Sequence, residues 1–140
     1  MSTISPETAL VYTLVTMSAS DDTMTDSELT RMTGILGYLP AFRNYNIERL
    51  RADTDSCIEI LQSEEGLDAV MGLIEEAVPE SHRDLVYALA CEVAASDGNL
   101  SQEELRLLEM IRYSLNVDRL TAAAIERATA ARQKTFEGMA

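Results

Sequence analysis

Apolar residues recur at spacings of three and four along nearly the whole chain, and no stretch alternates with a period of two. A chain with only that period buries its apolar side chains on helices and leaves no segment suited to a sheet. Ser5-Pro6-Glu7 opens the first helix, with proline in the first turn, where its missing N–H is no loss. Leu10, Leu14 and Met17 form its buried stripe, ending near Ala19. Thr25 caps a second helix, with Glu28 as its capping-box partner and Leu29, Met32, Ile35, Leu36 and Leu39 inside, until Pro40 stops it. Asn46 caps a third, facing inward through Ile47, Leu50, Cys57, Ile58 and Leu61. A break at Ser63–Gly66 precedes a fourth, through Leu67, Val70, Met71, Ile74 and Val78. Pro79 and Ser81 restart the chain into a fifth, with Leu85, Leu89 and Val93 inside. Ser101 caps a sixth, carrying Leu105, Leu108, Ile111 and Leu115, and Asp118 a seventh, through Ala122, Ile125 and Thr129. The expectation is an all-α, single-domain bundle of about seven helices.

At 140 residues the chain is long enough for one real core. Its formal charge of -13 repels phosphate backbones and bare anionic membranes. Divalent cations, a basic protein partner or plain solubility suit it better. Cys57 and Cys91 lie within apolar helical patterns and read as small buried hydrophobes in a reducing compartment. The N-terminal segment has neither basic residues nor a long apolar run, so neither a secretory signal nor a membrane insertion is expected, and the cytoplasm is the default.

SASDDTMTDSEL, residues 18–29, repeats as AASDGNLSQEEL, residues 94–105. Asp21 matches Asp97, Thr25 matches Ser101, Glu28 matches Glu104 and Leu29 matches Leu105. Two pseudo-symmetric helix-turn-helix units would thus bracket a central helical pair, an internal duplication. The second copy invites a calcium-loop reading, since Asp97, Asn99 and Ser101 fit the first, third and fifth ligand positions. Gln102 then stands where glycine is needed and Leu108 where the bidentate glutamate is needed, so the EF-hand reading fails. As a fold element the stretch is a helix stop at Gly98, an inward Leu100 and a capping box of Ser101 with Glu104.

The aspartates are what this leaves over. A carboxylate at a helix C-terminus faces the negative end of the macrodipole, so Asp21 and Asp97 do not serve the helices they follow. Either they are simply solvated, or Asp21, Asp22, Glu28, Asp97 and Glu104 form one cluster for a hard divalent ion such as calcium, magnesium or manganese. His82, the one histidine, reads as a surface residue. No GxGxxG, Walker loop, HExxH or CxxC is present, so no nucleotide, zinc or redox enzyme is indicated. Arg106, Arg112, Arg119 and Arg127 are expected to pair with nearby glutamates.

The segment LVYALACEVAASDGNLSQEELRLLEMIRYSLNVDRL resembles the tellurite-resistance TerB family, marked by an alanine-rich helix, AADG and a capped acidic helix. SASDDTMTDSEL and EEGLDAVMGLIEEAVPE also fit, so the resemblance covers most of the chain: a TerB-like domain over 1–132 and a frayed tail over 133–140. It implies a non-enzymatic, internally duplicated cytoplasmic protein associated with tellurite and chemical-stress resistance. It also implies an acidic, metal-chelating surface, carried here by Asp21, Glu28, Asp97 and Glu104. Asp22 departs from the family's usual glycine, adding a carboxylate. The fold resembles the N-terminal domain of a membrane-linked DnaJ-like co-chaperone as well, so the alternative is a metal-independent adaptor whose acidic face binds a basic partner. A homodimer stays open.

Overall fold

The computed structural model describes residues 4–18, 24–96 and 100–139. Among them the regular elements are all helical: α1 (Pro6–Ser18), α2 (Asp26–Tyr38), α3 (Leu50–Leu61), α4 (Gly66–Ala77), α5 (Arg83–Ala95), α6 (Gln102–Ser114) and α7 (Arg119–Arg132). Short 3₁₀ turns at Pro40–Phe42, Ile47–Arg49 and Glu80–His82 join some of them. The chain divides into two compact units, Met1–Glu80 and Ser81–Ala140.

In the first unit α1 packs on both α3 and α4, which also pack on each other. Every residue of α1 from Thr8 to Met17 is buried, not only the Leu10–Leu14–Met17 stripe. Three of those residues are threonines, which helical burial tolerates only when the hydroxyls are bonded. Thr13 and Thr16 donate back to the carbonyls of Ala9 and Tyr12 at 3.0 and 2.8 Å, and Thr8 donates to Asp53 on α3 at 3.1 Å. With its polar atoms turned onto its own backbone or one carboxylate, the helix is apolar all round and fit for the centre.

The third helix starts later than the sequence pattern suggests. Asn46 does act as a cap, accepting from the Glu48 N–H at 3.0 Å, but it caps a 3₁₀ turn, and Ile47 is 49% exposed. The α-helix proper begins at Leu50. Its junction with α4 is tight. Glu65 adopts a left-handed conformation (φ 56°), and Gly66 then comes so close to the end of α3 that a Cβ would lie 2.7 Å from the Leu61 carbonyl oxygen and nearer still to that of Ile60.

In the second unit α5 packs on α6 and α7. Val86, Leu89, Ala90, Val93 and Ala94 face its interior, whereas Leu85 is only half-buried. The expectations for two leucines need correcting. Leu100 does not drop into the core but stays 49% exposed, and Leu105 is 43% exposed. From α6 the buried contribution comes instead from Leu108 and Ile111, with Leu115 following. The helix ends in a Schellman motif: Asn116 is left-handed (φ 54°), its N–H bonds to Tyr113 O at 3.1 Å and that of Val117 to Arg112 O at 3.0 Å. Asp118 then caps α7 through Thr121, and those hydrogen bonds hold its carboxyl below the usual aspartate value. This cap is fully present above the ordinary aspartate range and fades as pH falls through the lowered pKa.

The glycines give a stability test in opposite directions. Gly34 and Gly72 lie within α2 and α4 with open space at the Cβ position, so Gly34→Ala and Gly72→Ala each raise stability by about 0.5–1 kcal/mol. Gly66→Ala forces backbone against backbone and lowers it by about 2–3 kcal/mol. Urea unfolding of the three variants checks both signs.

Candidate functional site

Of the carboxylates singled out in the sequence, Asp21, Asp22 and Asp97 lie outside the described residues. Glu28 and Glu104 are described, and each stands at the third position of a capped helix. Glu28 Oε1 accepts from the Thr25 N–H at 2.8 Å and from the Thr25 hydroxyl at 3.0 Å, while the Glu28 N–H donates to Thr25 Oγ1 at 3.2 Å. Glu104 Oε1 accepts from the Ser101 N–H at 3.0 Å, and its own N–H donates to Ser101 Oγ at 3.1 Å. Both are complete capping boxes.

The likeness extends to the backbone. Thr25 has φ -78° and ψ 162°, and Ser101 has φ -79° and ψ 163°. Each box opens a helix of 13 residues preceded by another of 13. The described hydrogen bonds employ one oxygen of each carboxylate, and a carboxylate has two oxygens and about four lone-pair sites. Oxygen-only donors are also the right chemistry for a hard cation. Among the described residues, however, no three His, Cys, Asp or Glu side chains are grouped closely enough to hold a metal. Glu28 belongs to one compact unit and Glu104 to the other.

The charge is unevenly shared between these units. Met1–Glu80 holds 15 of the 24 acidic residues and four of the 11 basic ones, so it carries -11 of the total -13. Ser81–Ala140 is close to neutral. Arg112, expected to pair with a glutamate, lies 4.7 Å over the ring of Tyr113, and Arg132 ion-pairs with Glu92 at 3.2 Å. His82 is exposed as expected, its Nδ1 2.7 Å from the Ser81 hydroxyl.

Two buried polar centres were missed in the sequence. In the first unit Asp53 is only 6% exposed. It accepts from Tyr45 OH at 2.6 Å and Thr8 Oγ1 at 3.1 Å, and Arg49 stands 3.7 Å away. Burial and the bond to Asp53 push the Tyr45 phenol well above its usual value. The same carboxylate thereby ties together α1, the loop before α3 and α3 itself. The available signal was a carboxylate on the inward stripe, between Leu50 and Cys57. In the second unit Tyr87 on α5 donates to Glu126 on α7 at 2.5 Å, and burial followed by that bond again drives the phenol up. Cys57 and Cys91 are buried as expected; desolvation pushes their thiols up to about 12 and about 11.

Next to Glu126 the second unit has an apolar groove of about 210 Å³ between α5, α6 and α7, lined among others by Cys91, Ala94, Leu100, Leu108 and Gln133. Leu100 thus forms a groove wall rather than a core staple.

Two measurements follow from this geometry. Thr25→Ala and Ser101→Ala each lose a cap and about 1 kcal/mol. Asp53→Ala strands the Tyr45 and Thr8 hydroxyls together and loses about 3 kcal/mol in the same urea assay. At neutral pH both thiols are protonated, so a thiol dye labels them far more slowly than a free cysteine. Cys91, which lines the groove, reacts before the fully buried Cys57, as peptide mapping of partially labelled protein would reveal.

No curated protein and no solved structure matches the chain. The family model described as tellurite resistance protein TerB does match, over residues 7–128, a span that runs from the first turn of α1 into the last turns of α7 and takes in both capped restarts. With most of its length inside that match, and with the all-helical architecture described above, the chain belongs to the tellurite resistance protein TerB family.

Proposed function

We propose that this chain is a non-enzymatic, cytoplasmic stress-response protein of the tellurite-resistance type, responding to a divalent cation. Calcium, magnesium or manganese would be taken by Asp21, Asp22, Glu28, Asp97 and Glu104. The observation that carries this reading is the matched pair of capping boxes. Each fixes a glutamate at the same helical position, seven residues after an aspartate in the sequence. A capping box needs no aspartate ahead of it in the sequence. The lack of any catalytic sequence motif supports the non-enzymatic part.

The second reading is an adaptor that binds a basic partner and needs no metal. It is favoured by the -11 charge of Met1–Glu80, which is the electrostatic complement of a basic surface. No helix of the described residues is long and apolar enough to cross a membrane, so neither reading draws on one.

Titration with each cation, followed by amide NMR and thermal melts, separates the two. On the first reading, shifts concentrate at the two turns and saturate. At a hundredfold excess over Kd the folded state gains about 2.7 kcal/mol, and Asp21→Asn with Asp97→Asn removes both effects. Diffuse shifts over every acidic residue, with an unchanged melting temperature, would overturn it. Binding of an arginine-rich peptide that persists in a chelator and weakens with salt would then establish the second.

A further inference from the structure

The groove of the second unit has a counterpart on the same unit. Beyond α7 the chain forms a small hook. Met139 N–H bonds to Phe136 O at 3.3 Å around Gly138, whose φ of +77° suits glycine. The hook presents Phe136 at 90% exposure and Met139 at 73%. Just before it stands Lys134, the single lysine of the chain. The groove offers the opposite features: walls of alanine and leucine, and the Glu126 carboxylate at its edge. Tyr87 bonds Glu126 through Oε2, and a carboxylate accepts at both oxygens, so an ammonium can still be received.

The hook is badly placed for the groove beside it. Bonds from Gln133 N–H to Ala130 O (3.2 Å) and from Lys134 N–H to Ala131 O (3.3 Å) carry the chain onward from α7. Gln133 already lines the groove, so Phe136 would have to turn back within Lys134 and Thr135. A second molecule has no such constraint. We propose that the Lys134–Met139 hook of one copy of this chain docks in the α5–α6–α7 groove of another. Phe136 enters between Leu100 and Leu108, and Lys134 pairs with Glu126. Hook and groove on one unit allow each copy to give and receive, and two copies related by a twofold axis satisfy both contacts at once. Two buried phenylalanines and two ion pairs describe a small interface and a reversible dimer.

Sedimentation of the full chain over a range of concentrations, with carbodiimide coupling of carboxylates to amines, tests this. The expected result is a concentration-dependent dimer and a coupled Lys134–Glu126 peptide pair at dimer mass. Phe136 is exposed, so Phe136→Ser leaves the circular dichroism unchanged while weakening self-association on the order of a hundredfold. Glu126→Gln abolishes the coupled pair. A chain that stays monomeric at every concentration, a dimer indifferent to Phe136→Ser, or a Lys134–Glu126 pair at monomer mass would each overturn the proposal. The last would show the hook closing on its own groove.

Discussion

The first unit depends on α1 being buried on every side. A helix so placed has no solvent face on which to put a polar atom, yet α1 carries three buried threonines, Thr8, Thr13 and Thr16. Two of the buried hydroxyls are absorbed by carbonyls one turn back, and a third by Asp53. Asp53 is then itself a buried charge, tolerable because Tyr45, Thr8 and Arg49 surround it with donors. The arrangement is reciprocal: the carboxylate satisfies the hydroxyls, and the hydroxyls hold the carboxylate inside. Since its partners come from α1 and from the loop ahead of α3, Asp53 also fixes the register in which that loop lies against the central helix.

Features settled by neighbours in sequence were legible without the structure. The Thr25–Glu28 and Ser101–Glu104 boxes, the Asp118 cap and the stop before Pro40 all follow from contacts within four residues. What depended on distant contacts was not. Hydropathy sees Thr8, Thr13 and Thr16 as polar, so α1 read as a one-sided stripe, whereas bonding makes it apolar all round. Leu100 and Leu105 fit the apolar spacing of the sequence yet stay accessible, Leu100 as a wall of the groove. Asp53 looked like an interruption of a buried stripe because its three partners come from elsewhere in the chain or from one turn away.

The candidate cation site divides along the same line. That Glu28 and Glu104 would be held in equivalent ways could be read from TDSE and SQEE, because a capping box is local. Whether five carboxylates act as one set is a question about two compact units, and no pattern of spacing within either turn contains it. Local equivalence nonetheless has a consequence. Each glutamate is already oriented by its own cap, so a cation would meet side chains whose rotamer freedom is largely spent, lowering the entropy lost on binding.

Charge and apolar exposure point to a division of labour. The acidic excess resides almost wholly in Met1–Glu80, whereas among the described residues six of the eight exposed large apolar side chains, Leu120, Phe136 and Met139 included, belong to Ser81–Ala140. Repulsion between like-charged surfaces opposes self-association, and it is weakest where net charge is smallest. An apolar hook and groove are therefore best carried by the near-neutral unit. A cation or basic partner, by contrast, is drawn by the acidic one over distances set by the Debye length, about 8 Å at physiological salt. Placing the two kinds of surface on different units lets salt weaken recognition of a charged partner while leaving apolar docking in place, because the two respond to separate physical forces.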